Sequence, residues 1–245
     1  MFRRIKALFW LRNQVIMSNK NILVQLLMPY FLLALYKAVF NMGKSKSLIL
    51  VYFCLAIGIA MSVGTTISVV ISEEKEKNNL KTLLLSGVHV SDYLISVLIH
   101  PILVTVINMV LFPIIADADI SEIYVEYVVV IMFTSLAVIL INLCIGAVSS
   151  TQSKAQINGL PIMFLISLGP MVAQANHKAA DFMSYTFLGA YIDLFTKGEF
   201  KLQDQSFIIL IIWNVMLLIC TIFVLRFNMI PGKIKSIFNA KRINS

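Results

Sequence analysis

The sequence predicts an all-α integral membrane protein with six transmembrane helices. Of its 245 residues, 59% are hydrophobic and only 13% are charged, and the mean hydropathy is +0.89. A soluble domain carries roughly 45–50% apolar and about 25% charged residues, so this chain has too little charge to cover a water-exposed surface. Six apolar stretches are each long enough to cross a bilayer as a helix. None alternates with the period of two that a membrane barrel requires.

Residues 1–20 form a basic amphipathic segment that precedes the first apolar stretch. Ile5, Leu8 and Phe9 lie one helical turn apart, between basic residues, and Trp10 is suited to the depth of the lipid headgroups. This pattern predicts a helix that lies in the membrane interface rather than one that spans it. The alternative is a frayed, charged lead-in to the first span.

The six predicted spans have the following approximate bounds: 21–40, 47–72, 91–116, 124–150, 156–174 and 206–227. The second span carries small side chains four residues apart, at Ala56, Ala60, Gly64 and Ser68. Such a stripe allows another helix to approach closely. It indicates either a seam inside one chain or a contact between two subunits, and we favour the internal seam.

The charges predict the orientation of these spans. The formal net charge is +8. When the N-terminus is set in the cytoplasm, 14 of the 20 basic residues fall on the cytoplasmic side and six on the outer side. Cytoplasmic loops are enriched in Lys and Arg, so both termini are predicted to be cytoplasmic in a multi-pass plasma-membrane protein. The basic excess then faces anionic membrane lipids, and no nucleic-acid partner is expected.

The charge-dense connection after the second span is the most informative segment for function. Leu80 and Leu84 share one helical face, whereas Glu73, Glu76 and Lys77 lie near one another on a polar face. Gly87 is expected to end this helix. A short amphipathic helix between two spans is suited to docking into a groove of a cytoplasmic protein. The alternative is an ordinary solvated turn.

This connection resembles the first cytoplasmic loop of ABC-2-type transporter permeases. Residues 74–76 match an acidic-basic-acidic cluster, residues 83–84 a Leu-Leu pair, and residues 88–93 the opening of the next span. The sequence departs from the family pattern at 78–79, where two Asn replace a small-residue turn, and at Gly87, where Pro is frequent. The family's Gly-Lys after the loop is also absent. Together with six spans, an interfacial N-terminal helix and a long outer loop, the resemblance covers nearly the whole chain.

The resemblance implies an ABC-2 fold of the type V exporter kind, in which residues 73–85 form a coupling helix. It implies two partner ATPase subunits that bind ATP and Mg, and a second copy of the permease or a paralogue. The residues implied to contact the ATPase are Glu73, Glu74, Glu76, Lys77, Leu80 and Leu84.

No enzymatic or metal site is expected in the chain itself. Residues 43–45 read like the end of a phosphate-binding loop, but Ala38 stands where that pattern needs Gly, and the fragment follows an apolar helix rather than a strand. A CAAX-type membrane protease would need Arg at the position of Asn78. A secondary transporter or a membrane scaffold stays as an alternative, although no carboxylate lies mid-span to carry ions.

The long segment 176–205 before the last span is rich in aromatic residues. Phe187, Tyr191 and Phe195 are spaced four apart, which predicts one helical stripe that must be buried. In ABC-2 permeases the corresponding region forms re-entrant outer helices, so these three residues are candidates for an outer gate. The alternative is a helix that only anchors the loop at the membrane surface.

The cargo is not encoded in any recognisable motif. Lys outnumbers Arg by 15 to 5, a bias typical of low-GC Gram-positive bacteria. Small permeases of this kind often export peptides, antibiotics or lipid-linked material in such bacteria. Staphylococcal exporters of amphipathic toxin peptides, the phenol-soluble modulins, are one candidate, and an amphipathic substrate is expected.

Overall fold

The computed structural model describes residues 2–40, 47–88, 90–197 and 200–228. Residues 43–45, the fragment that reads like a phosphate-binding loop, lie outside the described residues. Within the described ranges the secondary structure is helical and contains no strand. The helices, in chain order, are α1 (Phe2–Ser18), α2 (Lys20–Phe40), α3 (Ser47–Gly58), α4 (Thr66–Glu76), α5 (Asn79–Leu85), α6 (Val90–Ala116), α7 (Tyr124–Val148), α8 (Gln152–Ala175), α9 (His177–Ser184), α10 (Gly189–Thr196) and α11 (Gln205–Asn228).

Within these described ranges, six helical stretches are long and apolar enough to cross a membrane. Their bounds are Lys20–Val39, Ser47–Glu76, Asp92–Ala116, Ser121–Val148, Gln152–Ala175 and Gln205–Phe227. The predicted all-α architecture with six spans is therefore confirmed. The second stretch is longer than predicted, because it continues past residue 72 to Glu76. The charged residues 73–76, which the sequence pattern assigns to the loop, are therefore part of the same helical stretch.

The second span is continuous from α3 through α4 and is the most buried of the six, with 72% of its apolar window inside the protein. Between α3 and α4 the chain forms a π-helix over Ile59–Thr65. The hydroxyls of Ser62 and Thr65 donate to the carbonyls of Gly58 and Met61, each at 2.6 Å. Ser and Thr side chains that bond to the preceding turn loosen the regular helical ladder, and π segments are frequent at functional sites.

The stripe of small residues on this span faces the interior. Ala56, Ala60 and Ser68 are each 1% exposed, and Gly64 is buried. A Cβ built on Gly64 would lie 2.8 Å from Asn142 Nδ2 of α7. The absence of a side chain at this position therefore lets the second span and α7 pack closely, as in an internal seam.

The spans give the bundle two ends, which we name by the short helices that they carry. At the α5 end lie α1, the C-terminal end of α4, the start of α6, the end of α7 and the start of α8. At the α10 end lie α9, α10, the end of α6, and the starts of α3, α7 and α11. Lys37 at the end of α2 pairs with Asp117 after α6 at 2.5 Å, which ties two connections together at the α10 end.

The segment 73–85, predicted as one helix, consists of the last turn of α4 and the whole of α5. Asn78 stands between them with φ +57°, a left-handed conformation that Asn tolerates better than most residues. The chain therefore turns at Asn78, and α5 leaves the axis of α4. After α5, Gly87 has φ +88°, as expected for the residue that ends this helix.

Candidate functional site

A buried polar cluster lies at the α5 end, where α1, α4 and α6 meet. Arg12 of α1 donates from Nε and Nη2 to the two carboxylate oxygens of Glu74 of α4, each at 3.2 Å. Its Nη1 donates to Ser96 Oγ of α6 at 2.7 Å. The Tyr93 hydroxyl, also from α6, donates to Glu74 Oε2 at 2.5 Å. We call these four residues the buried ion cluster.

The cluster satisfies charges that would otherwise be costly in an apolar interior. The side chains of Arg12 and Glu74 are 3% and 6% exposed. The guanidinium also lies over the Tyr93 ring, with Arg12 Cζ 4.8 Å from the ring centroid. A buried ion pair offsets its desolvation only when its geometry is good and further hydrogen bonds satisfy the remaining polar atoms. Both conditions hold here, so the cluster fastens α1 to α4 and α6.

Glu73, the neighbour of Glu74, holds the junction between α1 and α2. Its carboxylate accepts from Asn19 Nδ2 at 2.9 Å and from Lys77 Nζ at 2.5 Å. The same Asn19 side chain accepts from the backbone N–H of Asn21 at 3.1 Å, at the start of α2. Movement of the end of α4 is therefore linked to the start of the first span as well.

Lys75 and Glu76 join the end of α4 to the connection between α7 and α8. Lys75 Nζ donates to the carbonyls of Ala147 and Ser149, at 2.5 and 2.7 Å. Glu76 Oε2 accepts from the backbone N–H of Gln152, the first residue of α8, at 2.9 Å. A cation at the carboxyl end of one helix and an anion at the amino end of the next both match the helix dipoles.

The aromatic residues of α10 form a second cluster at the opposite end, inside the apolar core. Tyr191 is 0% exposed, and its hydroxyl donates to the Tyr52 carbonyl of α3 at 2.5 Å. The Phe195 ring lies 5.2 Å from Tyr52 and 6.2 Å from Tyr127 of α7, between ring centroids. Burial raises the pKa of the Tyr191 phenol well above its usual value, so this side chain stays a neutral donor.

Phe187 belongs to the turn before α10 rather than to the helix itself. Its side chain is 6% exposed, and its ring lies 6.1 Å from Trp213 of α11 in an edge-to-face arrangement. Trp213 Nε1 in turn donates to the Tyr185 carbonyl at 3.0 Å. Phe187, Tyr191 and Phe195, which we call the aromatic cluster, therefore connect α10 to α3, α7 and α11.

The comparison with known families decides the class of protein. A sequence profile described as ABC-2 type transporter matches residues 3–200. The chain belongs to the ABC-2 type transporter family. The resemblance found in the loop after the second span is thereby confirmed at the level of the family. No curated protein and no solved structure gave a significant match.

Family membership assigns the chain to transport across a membrane. ABC-2 members of this kind are membrane subunits of transport systems and are not themselves catalytic. The six apolar helices agree with a multi-pass membrane protein. Among the described residues, no group of three or more His, Cys, Asp or Glu side chains is arranged to hold a metal ion.

The structure divides the six predicted ATPase contacts of this ABC-2 permease between the interior and the surface. Glu73, Glu74 and Leu80 are 5–7% exposed and contact residues of the same chain. Glu76 and Lys77 are exposed. Leu84 lies in α5, but its side chain is outside the described part. The contact with an ATPase stays a prediction, and the side chains available for it at this loop are exposed ones: Glu76, Lys77, Asn78, Asn79, Lys81, Thr82, Leu85 and Ser86.

Arg12 is the functional residue that sequence reasoning placed differently, because it was counted among the basic residues of an interfacial helix. In the structure it lies between Leu8 and Ile16 on the buried face of α1, and these two residues are 5% and 7% exposed. The spacing of four residues is the signal that could have revealed it. A cation in the middle of an apolar stripe requires a buried anion, and Glu74 supplies it.

His100, a titratable side chain within α6, also contacts α1. Its Nε2 lies 2.7 Å from Asn13 Oδ1, and its ring lies 4.6 Å from Phe9 between centroids. This contact adds a second polar link between α1 and α6 beside the buried ion cluster.

Proposed function

We propose that this permease is the membrane subunit of an ATP-driven exporter that moves an amphipathic substrate out of the cytoplasm or the inner leaflet. Two ATP-binding cassette subunits would bind ATP and Mg, and a second copy of the permease or a paralogue would complete the pathway. The orientation follows from the charge bias, with both termini in the cytoplasm. The single observation that supports the proposal is the set of side-chain contacts at the C-terminal end of α4, next to α5. These contacts link α4 to α1, α6, α7 and α8.

The exposed surface of α5 is suited to receive a movement of the ATPase. Lys81 and Leu85 of α5 are exposed, as is Lys77 just before this helix, whereas Leu80 of α5 is 7% exposed and packs into the bundle. A force on α5 would therefore be passed inward through Leu80 and through the chain to α4. This combination of a charged outer face and an anchored inner face is what a docking helix requires.

The contacts of α4 would then spread the movement over the spans. The Arg12–Glu74 pair carries it to α1 and α6, and Lys75 and Glu76 carry it to α7 and α8. The π-helix Ile59–Thr65 lies further along the same span as α4. Because its hydrogen-bonding is irregular, it is the natural place for this span to bend when α4 moves.

A groove with polar and apolar lining residues, which we call the mixed groove, supports entry of the substrate from the side of the bundle. It has a volume of about 440 Å³ and lies between α2, the π-helix and α8. Asn21, Gln25, Thr65 and Gln156 contribute polar groups to it, beside apolar side chains that include Val24 and Leu160. Polar side chains on the outer side of a membrane bundle indicate that water or a second subunit, rather than lipid, contacts them. The mixed lining suits an amphipathic molecule.

The aromatic cluster supports a closure at the α10 end. Tyr191 and Phe195 are packed against Tyr52 and Tyr127 within a single chain. A dry apolar constriction stops leakage without a charged barrier. Opening would require α10 to separate from α3 and α7, which is a displacement that the spans could produce.

Purification with an ATPase tests the proposal most directly. The permease is co-expressed with candidate ATP-binding cassette proteins from its source genome, purified through a tag on the permease, and placed in liposomes. We expect the ATPase to co-purify and its hydrolysis to rise when amphipathic peptides are added. The proposal would be contradicted if no ATPase co-purified with the permease. It would also be contradicted if no amphipathic peptide, antibiotic or lipid-like compound changed the hydrolysis rate.

A matched pair of variants separates docking from general damage in the same assay. Lys81→Glu reverses an exposed charge on α5, and Lys178→Glu reverses an exposed charge on α9 at the opposite end. Only the first is expected to lower co-purification. Equal loss in both variants, or in neither, would remove α5 as the docking surface.

A further inference from the structure

A cavity lies at the α10 end between the end of α6 and the start of α7, away from the mixed groove. Its volume is about 570 Å³, which is in the range of sites for drug-sized molecules. Most of its wall is apolar and comes from both helices, including Met109, Val110, Ile114 and Val128. Such a wall would receive a hydrocarbon or aromatic body.

The polar part of the wall carries one sign of charge. Asp117 and Asp119 line the cavity, and both come from the connection between the two helices. Residues 117–126 contain four acidic residues and no basic one. Asp117 already pairs with Lys37 at 2.5 Å, so Asp119 is the carboxylate left to face a further cation.

Asp119 is held in its ionised form. Its Oδ1 accepts from the backbone N–H of Ser121 at 3.0 Å, and this hydrogen bond lowers the pKa of the carboxyl below its usual value. The group is exposed, so a ligand reaches it without displacing the protein's own side chains. Its charge is therefore present at any neutral or mildly acidic pH.

One exposed aromatic ring completes a surface suited to an ammonium group. Tyr124 lines the cavity and is 59% exposed, whereas Tyr127 lies behind the wall and is 0% exposed. Carboxylates beside aromatic faces attract ammonium ions through charge and through the ring quadrupole. Tyr127 OH donates to the Met109 carbonyl at 3.0 Å, which fixes the position of this ring.

We infer that this cavity binds a single-headed cationic amphiphile, with its ammonium group at Asp119 and Tyr124 and its apolar body between α6 and α7. The inference concerns binding to the permease alone and holds whether or not the molecule is exported. The buried Tyr127 ring lies behind this wall, and its centroid is 6.2 Å from that of Phe195 in the aromatic cluster.

Photolabelling of the purified full-length permease in a neutral maltoside detergent tests the inference. The probe is a decylammonium that carries a diazirine on its chain, and the control probe has a hydroxyl in place of the ammonium. We expect saturable labelling of residues 109–128 by the first probe, competed by unlabelled dodecyltrimethylammonium. Equal labelling by the neutral probe, or labelling spread evenly over all spans, would overturn the inference.

Three variants and one lipid sharpen the test. Asp119→Asn should weaken binding about threefold, as expected for one exposed charge contact, and Asp181→Asn, an exposed acid of α9, should leave it unchanged. Val110→Phe narrows the cavity from a half-exposed position and should abolish labelling while the protein stays monodisperse. Unchanged binding in Asp119→Asn would refute the ammonium site. Competition by phosphatidylethanolamine as strong as that by the amphiphile would assign the cavity to membrane lipid instead.

Discussion

Arg12 and Glu74 are 62 residues apart in sequence, yet their side chains meet in a buried pair with two N–O distances of 3.2 Å. The pair joins the N-terminal helix to the end of the second span, next to the segment where an ATPase is proposed to dock. Because Tyr93 and Ser96 complete the set of hydrogen bonds, neither charge is left without partners.

Removing one member of the pair should destabilise the protein strongly. Glu74→Met leaves the Arg12 guanidinium buried without its counter-ion, a change that typically costs about 3–5 kcal/mol. The double variant Arg12→Met with Glu74→Met leaves no buried charge and should recover part of that loss. Thermal unfolding in detergent measures both, with Lys37→Met as a control that breaks a pair whose side chains are 41% and 67% exposed. A double variant as unstable as the sum of its single variants would show that the two side chains are not coupled.

Substitutions on the exposed face of α5 should uncouple the ATPase without affecting stability. Lys81→Glu combined with Leu85→Ala changes two exposed side chains, so the unfolding temperature should stay near that of the unaltered protein. Stimulation of hydrolysis by the permease should fall, as measured with the co-purified ATPase in liposomes. Deletion of residues 73–77 should also uncouple export, but it removes Glu74 and therefore the buried ion cluster. Normal export in the deletion variant would defeat the assignment.

Loss of the ring at Tyr191 should open a leak that does not depend on ATP. Tyr191→Ala removes a side chain that is 0% exposed and contacts Tyr52 and Phe195, whereas Tyr191→Phe keeps the ring and removes only the hydrogen bond to Tyr52. Efflux of a fluorescent amphiphile from liposomes should rise in the first variant and stay low in the second. Phe187→Ala should act like Tyr191→Ala.

The control for the leak is Phe182→Ala in α9, which removes an aromatic side chain that is 72% exposed. This variant should leave efflux unchanged. Unchanged efflux in Tyr191→Ala as well would remove the gate and favour an anchoring role for this segment.

Two glycines should respond to alanine in opposite ways. A Cβ at Gly64 would lie 2.8 Å from Asn142 Nδ2 and 2.9 Å from Val138 Cγ1, so Gly64→Ala should cost about 1–3 kcal/mol of stability through overpacking. A Cβ at Gly159 of α8 would have only Asn142 Oδ1 nearby, at 4.0 Å. Gly159→Ala should therefore be neutral or stabilise the helix by about 0.5–1 kcal/mol. Unfolding of the isolated single chain measures both changes in stability. Unchanged stability in Gly64→Ala would show that the small-residue stripe does not form an internal seam.

Local sequence features accounted for the spans and for the C-terminal end of α5. A stretch of about 20 apolar residues can satisfy its backbone hydrogen bonds in a bilayer only as a helix, so composition and length sufficed to predict six of them. Gly87 was recognised as the end of α5 for a similarly local reason, since glycine adopts positive φ without strain. The break at Asn78 was missed because a left-handed residue other than glycine leaves only a weak signal in sequence.

The pairing of side chains across helices could not be predicted in the same way. Whether Glu74 faces an ATPase or Arg12 depends on how α1 lies against α6, and no local pattern encodes that packing. The same holds for Phe195, whose ring contacts Tyr52 and Tyr127 from two different spans.

By itself, then, the sequence determined that this chain crosses a membrane six times, and its charged loop pointed to the ABC-2 family. Both follow from short-range physics: the cost of exposing apolar surface to water and the conformations open to each residue. Only the tertiary structure decided which charges of the loop are buried, which aromatic side chains pack together at the α10 end, and where a cavity remains between α6 and α7. These outcomes depend on helices that are distant in sequence, because burial and charge pairing are set by whatever packs against a residue rather than by its neighbours in the chain.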